Sequence, residues 1–480
     1  MNHRNVLSIL GLVLKAEGIL LVIPLIISLV LKENSTIPFI ITITITLLLG
    51  TIFSFKRNKA ENLTAKDGFI ICGVSWLLLS MFGALPFFLS GHIPSYIDAL
   101  FEVVSGFTTT GASILTDVET LPRSLLFWRS FTHWIGGMGV LVFILAILPL
   151  SSSRTMHLMK AEVPGPKVGK LVSKARFTAQ ILYAIYVVMT LVQIVLLLFG
   201  GMPLFDAVVN SFATAGTGGF AIKNSSIAAY DSAYIETVIT VFMILFGVNF
   251  NLYFFMLLGD IKSIVKNREL QVFLSIIAVS IAIISIDTHQ IYGSVSESIR
   301  YASFQVASVV STTGFATADF NQWSTLSKTI LVILMFSGSC AGSTAGGIKI
   351  SRIIILLKGA AKELKKMIMP RAVVSVKIEG KTVDNETITG SYAYLVLYFI
   401  IFVFSLLAVS LFDSFDMTTN FTAISACFNN IGPGLGEVGP AGNFSGFSNA
   451  SKIILIFDML AGRLEIFPVL ILFYPSAWKK

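Results

Sequence analysis

The chain has 480 residues, of which 55% are hydrophobic and only 12% charged, with a mean hydropathy of +0.84 and a formal net charge of +8. That composition excludes a soluble globular domain of this length and points to a polytopic membrane protein. The positive surplus does not imply nucleic acid, because basic residues in such proteins gather in the loops on one side of the membrane.

A membrane-spanning helix needs about 20 mostly apolar residues. Ten stretches qualify: 6–31, 37–55, 68–90, 124–150, 178–200, 233–258, 270–287, 326–357, 390–412 and 450–474. The first is longer than a cleaved signal and has no small-residue cleavage site before Lys32, so it reads as a retained helix. Four shorter segments of intermediate polarity, 95–108, 204–216, 298–311 and 418–430, lie between spans, each too short to cross and so expected to be re-entrant. Each runs into a glycine loop: Thr109-Thr110-Gly111, Thr217-Gly218-Gly219, Thr312-Thr313-Gly314 and Asn430-Ile431-Gly432. An ungapped alignment from Asp98 and Asp206 sets Gly111 opposite Gly219, although Gly218 leaves that second register open by one residue.

The basic residues test this count independently. Lys56, Arg57 and Lys59, the cluster from Arg154 to Arg176, Lys262, Lys266 and Arg268, the run from Lys349 to Lys377, and Lys479 with Lys480 all follow even-numbered spans. They share one side only if the four short segments enter and leave by the opposite face. The positive-inside rule then puts both termini in the cytoplasm and opens the glycine loops outward.

The expected fold is an all-α polytopic membrane protein. Four fused helix–pore loop–helix repeats are arranged with pseudo-fourfold symmetry around one pore, preceded by an extra N-terminal helix pair. The boundaries are 1–66 for that pair, then 67–160, 161–266, 267–377 and 378–480 for the repeats. A dehydrated alkali cation needs replacement oxygens, which a ring of backbone carbonyls supplies. Glycine allows that backbone shape, and the negative C-terminal ends of the short helices favour a cation. Taken singly, each loop reads more readily as a turn punctuated by Gly and Thr, and only the set of four favours the pore.

Within the eighth span, the eleven residues Ser337 to Gly347 are all small and four are Gly. The helix should break there, beside the pore, because irregular backbone at membrane depth must be buried in protein or face water. The alternative is a GxxxG helix interface through Gly338 and Gly342. Arg463 lies near the middle of the last span, where an unpaired Arg costs upward of about 2.5 kcal/mol, so it must face protein or water. Glu465 is a poor partner for it, since i,i+2 residues diverge on a helix.

Together, the segments TTTG, TGGF, STTGF, NNIGPG, GSCAGSTAGGIK and AGRLEIF resemble the Trk/Ktr/Hkt superfamily of potassium uptake proteins from about residue 67 to the C-terminus. The extra helix pair is closer to the bacterial Trk-type membrane subunit than to the Ktr type. The resemblance implies a gated, channel-like potassium uptake subunit in the bacterial inner membrane. Its filter would use Thr109, Thr110, Gly111, Thr217, Gly218, Gly219, Thr312, Thr313, Gly314, Asn430, Ile431 and Gly432, which bind potassium through backbone carbonyls. Rubidium and some sodium would also pass. The gate would comprise Gly338, Cys340, Gly342, Ser343, Thr344, Gly346, Gly347, Lys349 and the fixed charge Arg463; a snorkelling anchor suits Lys349 equally well. Potassium is the transported ion, no organic cofactor is implied, and the implied partners are a second copy of the chain and a nucleotide-sensing cytosolic ring. The chain itself has no GxGxxG or Walker motif.

Other residues carry weaker signals. Asp98 and Asp206 fall in the first turns of their short helices and read as caps, and Glu102 as an outer cation-attracting charge. Asn249, Asn251, Gly136, Gly137 and Gly139 read as bends or helix contacts around the pore. Cys72, Cys340 and Cys427 lack CxxC spacing and indicate neither disulfides nor zinc. A sodium- or proton-coupled symporter would need an ionisable residue of the right sign on the path, and Arg463 has the wrong one. A membrane enzyme would need a carboxylate pair or a nucleophile–base pair, and His133, the best-placed histidine, has neither nearby in sequence.

Overall fold

The computed structural model describes residues 3–55, 64–139, 175–372 and 374–478. The basic clusters at 56–59 and 154–174, the 160/161 boundary and the last two lysines lie outside the described residues.

The first hydrophobic stretch forms two helices, His3–Leu20 and Val22–Leu31, and Thr36–Ser54 returns alongside them. Gly11 and Gly50 make this contact close: a Cβ on either would lie within 2.8 Å of the other's carbonyl oxygen. Small residues at a crossing are the usual means of helix association where lipid removes the hydrophobic drive.

The four short segments are helices Tyr96–Phe107, Leu204–Gly216, Val295–Val310 and Met417–Phe428, the third starting three residues ahead of expectation. Ser95 and Asp416 cap the first and fourth by accepting from the N–H groups of Asp98 and Thr419, and Pro203 precedes the second. The helices that follow the loops pack in a cycle. Arg123–Gly137 meets Leu204–Gly216, Ala233–Phe246 meets Val295–Val310, Thr325–Ser337 meets Met417–Phe428, and Asn449–Arg463 closes onto Tyr96–Phe107. Aromatic stacking reinforces the packing, as where Tyr398 lies 4.5 Å from Phe428, ring to ring.

Among the described residues six helices are long and apolar enough to cross a membrane, and a seventh, Ala233–Phe246 with Phe250–Leu257, bends by 92°. Of the remaining expected spans, the fourth continues past residue 139, outside the described residues, and the other two are broken. The eighth splits into Thr325–Ser337 and Ile350–Ile368, and the tenth into Asn449–Arg463 and Phe467–Leu472. Alongside the helices lies one short antiparallel hairpin pairing Lys377–Ile378 with Lys381–Thr382. Its tip residue Glu379 accepts hydrogen bonds from Asn267 and from the N–H of Arg268.

Candidate functional site

Each short helix ends in the same way. Thr109, Thr217, Thr312 and Asn430 adopt φ of 56°, 55°, 56° and 56°, in the left-handed region. The next residue then donates its N–H back five residues, Thr110 to Ser105, Gly218 to Ala213, Thr313 to Ser308 and Ile431 to Ala426, at 2.9, 2.9, 2.8 and 2.8 Å. This is the 6→1 bond of a Schellman turn, which normally recruits Gly at the left-handed position. A β-branched Thr there is strained by about 1–3 kcal/mol and persists only when its surroundings dictate it. Three Thr and an Asn held so, all buried, mark a geometry the fold enforces.

One residue further on, Gly111, Gly219, Gly314 and Gly432 have φ of 81°, 72°, 83° and 100°. Gly219, not Gly218, is therefore the counterpart of Gly111. The loops interlock head to tail: a Cβ on Gly111 would strike the carbonyl of Gly218, on Gly219 that of Thr313, on Gly314 that of Ile431, and on Gly432 that of Thr110. The four glycines line one common cavity of about 170 Å³, bounded further out by Lys223, Asn224 and residues 438–444.

Side chains lock the ring. Thr108 and Thr110 share a hydroxyl–hydroxyl bond of 2.7 Å, as do Ser311 and Thr313. Asn430 Nδ2 donates to Thr110 Oγ1 at 3.0 Å and to Met459 O at 2.9 Å, joining the fourth loop to the first. His133 Nδ1 lies 2.7 Å from Gly106 O, and its Nε2 receives the N–H of Phe220 at 3.2 Å. The ring is thus held as the Nδ1–H tautomer between the first short helix and the second loop, serving as a strut and not as a base.

The small-residue run leaves the helix. Gly338, Gly342 and Gly347 have φ of 61°, 72° and 75°, which excludes the GxxxG helix interface. Gly346 donates its N–H to Thr312 Oγ1 at 2.7 Å, and Ser339 Oγ donates to Val310 O at 2.8 Å, so the run hangs directly on the third short helix and its loop. On its other side Cys340 N–H donates to Gly247 O at 3.1 Å, and Phe250 N–H donates to Gly342 O at 3.0 Å. These bonds seat it in the bend between Ala233–Phe246 and Phe250–Leu257, at Asn249, the break expected there. Asn249 Oδ1 itself accepts from Asn251 N–H at 2.9 Å.

Arg463 reaches across to this run. Its guanidinium donates to Thr344 O at 2.6 Å and to Gly136 O and Gly137 O at 2.6 and 2.7 Å. Lys349 is 1% exposed with Nζ donating to Ala345 O, which overturns the snorkelling alternative. Glu465 pairs with Arg352 at 2.8 Å, and Arg352 also lies 3.8 Å from the Tyr394 ring centre.

Asp98 and Asp206 lie in the first turns of their short helices as expected, but their carboxylates find partners outside those helices, and Glu102 differs outright. Ser95 makes the cap expected of Asp98, and Asp98 instead receives Lys452 Nζ at 2.6 Å. Asp206 accepts from the hydroxyl of Tyr230 at 2.9 Å. Glu102 is no outer charge: it is 1% exposed, meets Arg129 Nε at 2.5 Å and accepts from Ser113 Oγ and Ile114 N–H. Arg129 in turn lies 3.5 Å over the Phe220 ring and donates to Ala221 O, bracing the second loop. Arg129 gives little signal in the sequence, because its partners come from distant stretches; its only local mark is a charge inside a hydrophobic helix. Cys72, Cys340 and Cys427 are buried and form no disulfide with one another.

A family model, TrkH, described as a cation transport protein, matches residues 35–480. The chain is 36% identical over 487 residues to the Trk system potassium uptake protein TrkH of Salmonella typhimurium, with all of both chains covered. It is 32% identical over 479 residues to the Trk system potassium uptake protein TrkI of Halomonas elongata, covering 99% of this chain and 96% of that one. The crystal structure of the potassium transporter TrkH from Vibrio parahaemolyticus superposes with a TM-score of 0.89 at 33% identity over the full length of both.

Proposed function

The chain belongs to the TrkH family of cation transport proteins and is a membrane subunit for potassium uptake, and from that premise we propose that ions pass through the ring of four glycine loops. The observation that carries this reading is the head-to-tail closure of Gly111, Gly219, Gly314 and Gly432 on one another's loops around a single cavity. Residues Thr109–Gly111, Thr217–Gly219, Thr312–Gly314 and Asn430–Gly432 form the selectivity filter. Their carbonyl oxygens stand in for the water shell of potassium, and the short helices aim their negative ends at the ion.

Gly338, Cys340, Gly342, Ser343, Thr344, Gly346, Gly347 and Lys349 form the gate below the filter, and Arg463 holds it shut while opposing cations electrostatically. The repeats run 67–160, 161–266, 267–377 and 378–480 behind the helix pair 1–66. The protein sits in the bacterial inner membrane with both termini in the cytoplasm, works as a homodimer, and takes its gating signal from a cytosolic nucleotide-binding ring that docks on the basic face. Flux is passive: no carboxylate faces the glycine ring among the described residues that line its cavity.

Rubidium uptake into liposomes holding the purified protein tests this, driven by a potassium gradient alone. Uptake abolished by Gly219→Ser and independent of sodium and proton gradients is the expected result. Uptake that requires either gradient would replace the channel reading with a symporter.

A further inference from the structure

Ile350–Ile368, the helix that leaves the small-residue loop, starts without a cap of its own. Its preceding residue Lys349 has φ 75° and makes no side-chain capping bond. The first turn of any helix carries N–H groups with no partner inside it, and a buried one must find an acceptor elsewhere. Here the acceptor comes from another part of the chain. Glu269, in the first turn of Arg268–Tyr292, places Oε1 2.7 Å from the N–H of Ala341 and 3.0 Å from the N–H of Ser351.

One carboxylate oxygen thus ties the middle of the loop to the start of the helix that follows it. Between those ties lie Gly342 to Ile350, including the residues that touch Thr312 and Arg463. Immediately before Glu269, Asn267 and Arg268 are gripped by Glu379 of the hairpin, which fixes the end of the helix that presents the carboxylate. The loop's bonds to Gly247, Phe250, Val310, Thr312 and Arg463 each hold one point of it, whereas this pair joins two points through a single side chain.

We propose that Glu269 is a positioning residue for gating: its carboxylate latches the intramembrane loop in the closed position by capping Ser351 and Ala341 together. The proposal rests on the reading of that loop as the gate. The latch requires an acceptor at the distance of Oε1, not a negative charge as such. Glu269→Gln, which keeps that oxygen, therefore holds the loop; Glu269→Asp, one methylene shorter, and Glu269→Ala release it.

Three buried native cysteines report the outcome in the intact protein. Cys340 adjoins Ala341 in the loop, whereas Cys72 and Cys427 lie elsewhere in the core and serve as internal controls. Labelling with a membrane-permeant maleimide, resolved by peptide mass spectrometry, should speed up about tenfold at Cys340 in Glu269→Ala and Glu269→Asp, a shift of about 1.4 kcal/mol in the closed–open balance. Cys72 and Cys427 should stay as in the wild type, Glu269→Gln should stay within about twofold of the wild type, and rubidium flux should rise with the Cys340 rate. An unchanged Cys340 rate in Glu269→Ala, or a rise at all three cysteines together, overturns the latch. A rise at Cys340 alone with unchanged flux keeps the latch and overturns the gate reading beneath it.

Discussion

The hydroxyl of Thr312 accepts the backbone N–H of Gly346 at 2.7 Å, so the left-handed residue of the third glycine loop is also the peg from which the small-residue loop hangs. Such a bond contributes about 0.5–1.5 kcal/mol, and a buried N–H left without a partner costs about 1–3 kcal/mol. Thr312→Val keeps the shape and removes the acceptor, so the small-residue loop should be held less firmly and, with that loop as the proposed gate, rubidium flux should rise about 3- to 10-fold. Thr312→Ser keeps the acceptor and should conduct like the wild type. Equal flux in both variants and the wild type would separate the two loops functionally.

Gly218 and Gly219 should fail for different reasons. A Cβ on Gly218 runs into the His133 ring, whereas on Gly219 it runs into the Thr313 carbonyl and meets a φ of 72° as well. A backbone clash in the left-handed region has no cheap relief, but a side-chain clash ends when the side chain is removed. Gly218→Ala and His133→Ala should therefore couple by about 0.5–3 kcal/mol in thermal stability, the double variant being more stable than the sum of the singles. Gly219→Ala should show no such rescue by His133→Ala and should abolish uptake in either background.

Much of this arrangement is legible in the residue types themselves. Gly111, Gly314 and Gly432 occupy positive φ where a side chain would block the ring, so the backbone demand is written directly into the choice of glycine. The register at Gly218-Gly219 is not legible, because either Gly satisfies that demand and only the contact with Thr313 decides between them. The break at Gly338–Gly347 follows from residues too small to pack. The ties that hold these parts escape sequence reading because they are long-range: Glu102 finds Arg129 and Glu269 finds Ala341 only after the helices have packed. Asp98 misleads for a related reason, since the nearer Ser95 satisfies the helix end and frees the carboxylate for Lys452.

At the mouth of the cavity, Lys223 Nζ sits 3.0 Å from Glu119 Oε2, joining the segments that follow the first and second glycine loops. The hydrogen bond from Lys223 holds the Glu119 carboxyl below its ordinary value, so the pair is present at neutral pH and is lost only as pH falls through that depressed value. Protonation then leaves Lys223 lining the cavity without its carboxylate partner. Glu119→Gln should mimic this and lower cation influx about twofold near 0.01 M salt, while Lys223→Gln should raise it by a similar factor. Both effects should shrink toward 0.15 M, where the Debye length is about 8 Å. Influx measured against ionic strength checks the sign and the screening together.

Arg463 donates to the loop at Thr344 O and to the end of helix Arg123–Gly137 at Gly136 O and Gly137 O. Arg463→Ala removes these ties and the fixed positive charge at once and should raise flux. Arg463→Lys keeps the charge but cannot reproduce a planar fork of donors. If the charge dominates, Arg463→Lys conducts like the wild type; if the ties dominate, it leaks like Arg463→Ala. The bonds to three separate carbonyls favour the second outcome, and rubidium flux through the two variants at equal reconstitution decides it.

Glu102 and Arg129 form an ion pair at 2.5 Å with side chains 0% and 3% exposed, just behind the first and second glycine loops. Removing one member of such a pair strands a buried charge and costs about 3–5 kcal/mol, whereas replacing both by apolar groups can be close to neutral. Glu102→Gln should therefore lower the thermal stability of the detergent-solubilised protein sharply, and Glu102→Leu with Arg129→Met should recover most of the loss. Recovery will stay incomplete, because Arg129 also donates to Ala221 O and covers the Phe220 ring. That residual is the useful quantity: with the charge problem removed, any remaining fall in potassium-over-sodium discrimination reports how far the second loop depends on being braced from behind. A double variant as selective as the wild type would reduce Arg129 to a purely structural ion.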